Sequence, residues 1–388
     1  MQQTITMRSI MSDFADATGL TNDSLEPRRY LWTDAFAVCN YLELYRQTGD
    51  EEDLQLALKL VDQVHLTLGK HHKDSKHSGW LSGLDEEQAG LHPTIAGLRI
   101  GKQLNERQAD EAYDEQLEWD RDGQYFHYLT KWMHALNRVS QVTGKSIYNR
   151  WALDLARAAH AAFTYTPASG SGHKRMYWKM SIGLSRAQVP SMGQHDPLDG
   201  LITYQQLEAS AKDFSETAVE FSLKTEIEEL QAMCAGGSWA TEDPLGIGGL
   251  LTDAYRLVQL IEAHYLHETS RLESLLDDIE ISLQAFAGNN QLNLPAEYRL
   301  AFRELGLAIG LQAIARMQKT IEQHAENFTN PDQLNATLKK LTRFNSVNEF
   351  IESFWLEPEH RSVDSWLQHT DINNVMLATS MAPDGFLN

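Results

Sequence analysis

The residues best suited to chemistry lie in a short acidic and aromatic stretch, Glu118-Trp119-Asp120-Arg121-Asp122-Gly123-Gln124-Tyr125. Three carboxylates stand here within five residues, beside a tryptophan. Cleavage of a glycosidic bond needs one carboxyl as acid and a second as base or nucleophile. The flat faces of Trp119 and Tyr125 suit the apolar faces of sugar rings. Each carboxylate also has a local explanation: Asp122 as a helix cap, Glu118 and Asp120 as solvated loop charges.

A second set comes from an internal echo. Ser191 to Leu198 reads S-M-G-Q-H-D-P-L, and Ser238 to Leu245 reads S-W-A-T-E-D-P-L. Aspartate followed by proline opens a helix. Because both copies keep Asp-Pro-Leu, Asp196 and Asp243 are assigned to capping and Asp196 is set aside as a catalyst. The differences carry the information: His195 and Asp199 in one copy, Glu242 and Gly246 in the other. Histidine is the side chain suited to proton transfer near neutral pH, so His195 could act as a proton carrier. Asp199 sits one turn into the same helix. Its alternative reading is an acid favoured by the helix dipole.

Further candidates for substrate contact are Trp32, Trp80, His92, Trp178 and Trp239, with Lys179 as a cation. Asp34 follows Trp32 among apolar neighbours and reads as buried, which requires a partner or a shifted pKa. The loop His71-His72-Lys73-Asp74-Ser75-Lys76-His77 is locally basic, as is His173-Lys174-Arg175, and either could hold a carboxylate or phosphate. The histidine spacing matches no zinc pattern. There is no phosphate loop, dinucleotide fingerprint, nucleophile-elbow serine or Cys-x-x-Cys pair. No cofactor and no metal are expected.

These residues hang on a helical framework. Tyr30 to Arg46 is apolar nearly all round, so the helix it predicts is buried on most sides. Thr48-Gly49-Asp50 follows, with Gly49 suited to a left-handed C-terminal cap and Asp50 to capping the next, amphipathic helix. The unit returns at Thr143-Gly144-Lys145, and Ala152, Leu153 and His160 fall where Ala57, Leu58 and His65 fell. Asp196-Pro197 and Asp243-Pro244 open two further helices, with amphipathic partners at about 217–234 and 270–287. A fifth pair spans Pro295 to Glu326 and Asn330 to Phe344, and Gly306 and Gly310 in it permit close helix contact. Residues 347–388 form a reduced last hairpin, and residues 1–27 an N-terminal arm. No β alternation and no linker interrupt 1–388, which reads as one all-α domain.

The chain has 388 residues and a formal net charge of −21, which argues against nucleic acid and an anionic membrane surface as partners. No segment has the roughly 18 consecutive apolar residues of a membrane span. Cys39 and Cys234 lie in apolar patterns and read as small hydrophobes in a reducing, cytoplasmic setting. A homo-oligomer is compatible with all of this.

Five or six hairpins, each a mostly buried helix followed by an amphipathic one, resemble the six-hairpin (α/α)6 toroids of many glycosidases and of the N-acylglucosamine and cellobiose 2-epimerase group. That resemblance implies a site where the inner helices begin and a small saccharide as partner. It implies a glycoside hydrolase of small cytoplasmic oligosaccharides. The alternative is a sugar 2-epimerase, because Gln194-His195-Asp196-Pro197-Leu198-Asp199 is similar to the Gly-His-Asx-x-Glu stretch of that group, with Gly193 displaced and Asp for Glu. A third reading is a non-catalytic helical binding protein.

Overall fold

The computed structural model describes residues 2–168, 174–214 and 222–388. His173 and the start of the helix expected at 217 lie outside them. The chain packs as two compact units, Ala15–Ala235 and Met1–Phe14 with Gly236–Asn388.

The N-terminal segment departs from the expected arm. It is a helix, α1 (Gln2–Ala17). Met7, Ile10, Met11, Phe14 and Ala15 are buried, and their spacing is the i, i+3, i+4, i+7, i+8 stripe of a helix face. The polar residues between them hide that period.

In the unit Ala15–Ala235, α2 (Leu31–Thr48) is buried without a break from Leu31 to Leu44 and pairs with amphipathic α3 (Glu51–Leu68). The turn between them is as expected: Gly49 is left-handed (φ 70°), and the Asp50 side chain accepts from the Glu52 N–H. Short helices α4 (Glu86–Leu91) and α5 (Glu115–Asp120) lie in the long connection that follows. Then come α6 (Phe126–Thr143) and α7 (Ile147–Phe163), with Gly144 at φ 68°. The two turns share their side-chain bonds: Thr48 Oγ1 donates to the Leu44 carbonyl and Thr143 Oγ1 to that of Val139. The third pair is α8 (Asp196–Asp213) and α9 (Lys224–Cys234). Helices α2, α6 and α8 are neighbours in that order.

Strands too short to show alternation in sequence are present. They are β1 (Gln124–Tyr125), β2 (Thr164–Tyr165), β3 (Arg175–Met176), β4 (Lys179–Met180) and β5 (Ala187–Val189). One antiparallel sheet has the order β1-β4-β5 and aligns Tyr125 with Lys179; the other pairs β2 with β3.

The second unit holds α10 (Pro244–Glu262), α11 (Ser270–Gly288), α12 (Ala301–Gln323) and α13 (Pro331–Leu341). It ends in α14 (Asn345–Leu356), α15 (Asp364–Leu367), α16 (Thr370–Met381) and α17 (Asp384–Leu387). Helices α14 and α16 hold most of residues 347–388, the stretch expected to make a reduced last hairpin. Cys39 and Cys234 are buried and not joined in a disulfide. Among the described residues, no helix is long and apolar enough to cross a membrane.

Helices α10 and α12 meet backbone to backbone. A Cβ at Gly248 would lie 2.1 Å from the Gly306 carbonyl oxygen, and one at Gly310 would lie 2.5 Å from that of Gly248. Gly248→Ala is therefore expected to lower stability by about 1–3 kcal/mol, the cost of overpacking. Gly249→Ala, where nothing lies within 4 Å of the added carbon, should instead gain about 0.5–1 kcal/mol of helix propensity. Urea melts of the two variants check this; equal effects would contradict the close contact.

Candidate active site

The N-terminal ends of α2, α6 and α8 supply one connected cluster. Its visible part is a run of touching rings. Trp178 meets Trp119 at 5.2 Å between centroids, and Trp119 stacks on Tyr125 at 6.2 Å. Tyr125 stacks on His127 at 5.4 Å and meets Tyr128 at 5.2 Å edge-on. Trp32 closes the run, 5.4 Å from Tyr128 and 6.1 Å from His127. The hydroxyls of Tyr30 and Tyr128 are 2.9 Å apart. Four sequence candidates, Trp32, Trp119, Tyr125 and Trp178, thus come together from three separate segments.

Beneath the rings lies a buried ionic layer. Glu118 is 1% exposed, and its carboxylate accepts from Arg107 Nε at 2.7 Å and Lys179 Nζ at 3.4 Å. Lys179 is fully buried, donates also to the Glu118 and Arg121 carbonyls, and stands 5.6 Å from the Tyr125 ring centroid. Burial pulls its ammonium down to about 8, against the pull of Glu118. Asp122 has no exposed surface; it pairs with Arg99 and accepts from the Gly101 and Gly123 N–H groups, each at 3.0 Å. Capping, the local role open to Asp122, falls to none of its bonds. Asp120 is exposed at the end of α5. Asp34 is buried, accepting from the Tyr30 N–H at 2.8 Å and from Arg29 at 3.4 Å.

The first turn of α8 faces the first turns of α6. Asp199 Oδ2 accepts from Thr130 Oγ1 at 2.5 Å, and its Oδ1 lies 2.8 Å from Lys131 Nζ. Asp196 differs. Sequence reading made it the cap of α8, but His195 holds the N-cap position in a helical conformation (φ −95°, ψ −9°), and no side chain caps the helix. Asp243 does cap α10, accepting from the Gly246 N–H. Asp196 is therefore one residue inside its helix and free of that duty. It is 5% exposed, and among the described residues its Oδ2 has no hydrogen-bond partner. Its Oδ1 is 3.7 Å from His127 Nδ1. Burial, then the charge of Asp199, pushes the Asp196 carboxyl up to about 7, with Lys131 opposing. Burial among the rings, with Lys131 adding, pushes the His127 imidazole down to about 4. At neutral pH the cluster thus holds a carboxyl poised to give up a proton at Asp196 and a neutral imidazole at His127, with the hydrogen-bonded Asp199 side chain one turn away.

The other sequence candidates make contacts of their own. Trp80 donates from Nε1 to Glu86 at 2.8 Å, and His92 bonds Asp154 on α7 at 2.8 Å. Trp239 and Glu242 belong to the second unit, where the Trp239 N–H bonds Asp278 and Glu242 accepts from Asn289. His195 is half-buried beside Asp196. The residues missed in sequence were His127, Lys131 and Asp196. The i, i+4 spacing of His127 and Lys131 at a helix start was the available signal. Among the described residues, no three His, Cys, Asp or Glu side chains are grouped to hold a metal ion.

The chain matches no family model and no curated protein. It is similar in structure to the alpha-1,6-mannanase GH76A of Salegentibacter sp. HEL1_6, with a TM-score of 0.53, 11% identity, and 98% of this chain and 99% of that one covered. An inactive variant of that mannanase, in complex with alpha-1,6-mannotriose, aligns equally well, at a TM-score of 0.53 and 10% identity over 98% and 99% of the two chains. The Lin0763 protein from Listeria innocua aligns at a TM-score of 0.51 and 11% identity, over 99% of this chain and 97% of that one. The fold is an all-α (α/α)6 toroid. It is the fold expected from the hairpin pattern.

Asp196 gives a thermodynamic test. A carboxyl whose folded pKa is raised binds its proton more tightly folded than unfolded, so it costs stability as pH rises from about 4 to about 7. The depressed imidazoles of His65 and His127 act with the opposite sign, so the useful readout is a difference. Asp196→Asn should match the parent near pH 4 and exceed it by roughly a few kcal/mol above pH 7, since each tenfold in acidity is worth about 1.4 kcal/mol. Denaturant melts across that range decide it; parallel curves would exclude a raised pKa at Asp196.

Proposed function

We propose that this chain is a carbohydrate-active enzyme that hydrolyses glycosidic bonds in small oligosaccharides, working as a single six-hairpin domain. The observation that carries this is the pair Asp196 and Asp199. They stand three residues apart on one helix, roughly 5–6 Å between Cβ atoms, a spacing compatible with two carboxyl groups flanking a scissile bond. Burial raises the Asp196 carboxyl, and a raised carboxyl beside a second one is suited to the acid role. Asp196 donates the proton to the leaving oxygen. Asp199, bonded by Lys131 and Thr130, is the base or nucleophile. Trp32, Trp119, Tyr125 and Trp178 stack against sugar rings, and His195 and Asp120 complete the rim. Glu118, Asp122, Lys179 and Asp34 hold those rings in place.

Two further points support this. The fold is shared with an alpha-1,6-mannanase, whose inactive variant was changed at two adjacent aspartates. This chain has adjacent aspartates only at Asp277 and Asp278, in α11 of the second unit, where Asp278 bonds Ser238 and Trp239. The acid roles are assigned here to Asp196 and Asp199, one turn apart on α8. The unbridged, buried thiols support a cytoplasmic setting.

His127 supports a second reading. A neutral imidazole inside an aromatic wall can take a proton from carbon beside a carbonyl, as a sugar epimerase requires.

Incubation with a panel of labelled di- and trisaccharides, followed by NMR, separates the readings. Hydrolysis is expected, with a rate that falls as pH rises through about 7 and drops about 10²–10⁴-fold in Asp196→Asn and Asp199→Asn. Solvent deuterium appearing at C2 without cleavage, and lost in His127→Gln, would replace hydrolysis by epimerisation. Saccharide binding with neither reaction would leave a binding protein.

A further inference from the structure

A cleft of about 490 Å³ lies in the unit Ala15–Ala235, lined by the 26–29 segment, the end of α3 with the 70–73 loop, and residues 99–103. In a chain of net charge −21, this cleft collects Arg28, Arg29, Lys70, Lys73, Arg99 and Lys102 against the single carboxylate of Glu26. Three of these charges are answered locally: Arg29 by Asp34, Arg99 by Asp122 and Lys70 by Glu86. Lys73 and Lys102 have no carboxylate within ion-pair distance among the described residues, while Arg28 has an interaction of its own. Lys102 is the most telling. Its ammonium donates to the Trp119 carbonyl and lies 5.7 Å from the Tyr125 ring centroid. Burial lowers its pKa, a cost that Asp120 and Asp122 only partly offset. A lysine ammonium has three donors, so two remain for a ligand. Lys102 thus lines the cleft and touches the aromatic run.

We propose that this cleft is an anion subsite and that the saccharide carries a negative charge, a uronate carboxylate or a phosphate ester, bound by Lys102 with Lys73 at the opening. A charge-assisted bond in a partly dehydrated cleft is stronger than a neutral one, so the charged group selects the substrate while the rings hold its sugar. This rests on the saccharide reading above, and the test keeps the two apart.

Dissociation constants are measured by calorimetry for a neutral disaccharide, a uronate-bearing disaccharide and a hexose phosphate, at low and high salt. The proteins are the parent, Lys102→Met and Lys73→Met. One or both anionic sugars should bind about tenfold tighter than the neutral one, and whichever binds tighter names the anion. That preference should shrink at high salt, vanish in Lys102→Met and weaken in Lys73→Met, whose exposed position leaves the fold untouched. Equal binding of neutral and anionic sugars overturns the anion subsite and leaves the saccharide reading standing, as does a preference that survives both substitutions. Binding of no sugar at all overturns both.

Discussion

The Arg99 guanidinium braces the site. It donates to the Lys70 and Thr67 carbonyls and pairs with Asp122. Asp122 in turn receives the Gly101 and Gly123 N–H groups. A buried charge is costly unless its hydrogen bonds are complete, and here both partners are satisfied. The pair fastens three segments at once: the end of α3, the 99–101 stretch and the residues just before α6. Two backbone bonds extend it, from Ile100 to the Gly123 carbonyl and from Leu31 to the Ile100 carbonyl. The starts of α2 and α6 are therefore positioned by one ionic contact, and Trp32, Tyr125 and His127 inherit their places from it.

Onto this brace the short β1-β4-β5 sheet adds a second restraint. Pairing Tyr125 with Lys179 sets a buried ammonium under one ring and carries Trp178 to Trp119. The aromatic run is a surface with charge behind it, not a patch of loose loop residues. The acids divide accordingly. Glu118 and Asp122 are consumed in support, while Asp196 keeps an oxygen without a partner among the described residues. The two kinds of carboxylate have the same chemistry and differ only in who else is in the room.

What sequence made legible was what neighbours in the chain decide. Gly49 and Gly144 end helices because a left-handed residue is needed there, and Asp243 caps because its side chain reaches a nearby N–H. The helical hairpins followed from apolar spacing, and α1 escaped notice only because polar residues break up its stripe. Trp32, Trp119, Tyr125 and Trp178 were found by residue type. What stayed hidden was set by partners far along the chain. Nothing near Glu118 says that Arg107 and Lys179 will both claim it. Asp196 shows the limit best: its Asp-Pro-Leu is identical to that of Asp243, yet a helical His195 moves the helix start by one residue and changes what the aspartate does.

The glycine contact between α10 and α12 has a consequence for how such a chain can change over time. Two helices touching through bare backbone cannot slide past each other, because a shift by one position would drive Leu307 or Leu311 into the space that Gly306 and Gly310 leave empty. Insertions and deletions are then barred from both helices and must collect in the connections on either side. Variation in length, and with it variation in what is recognised, is steered into the loops.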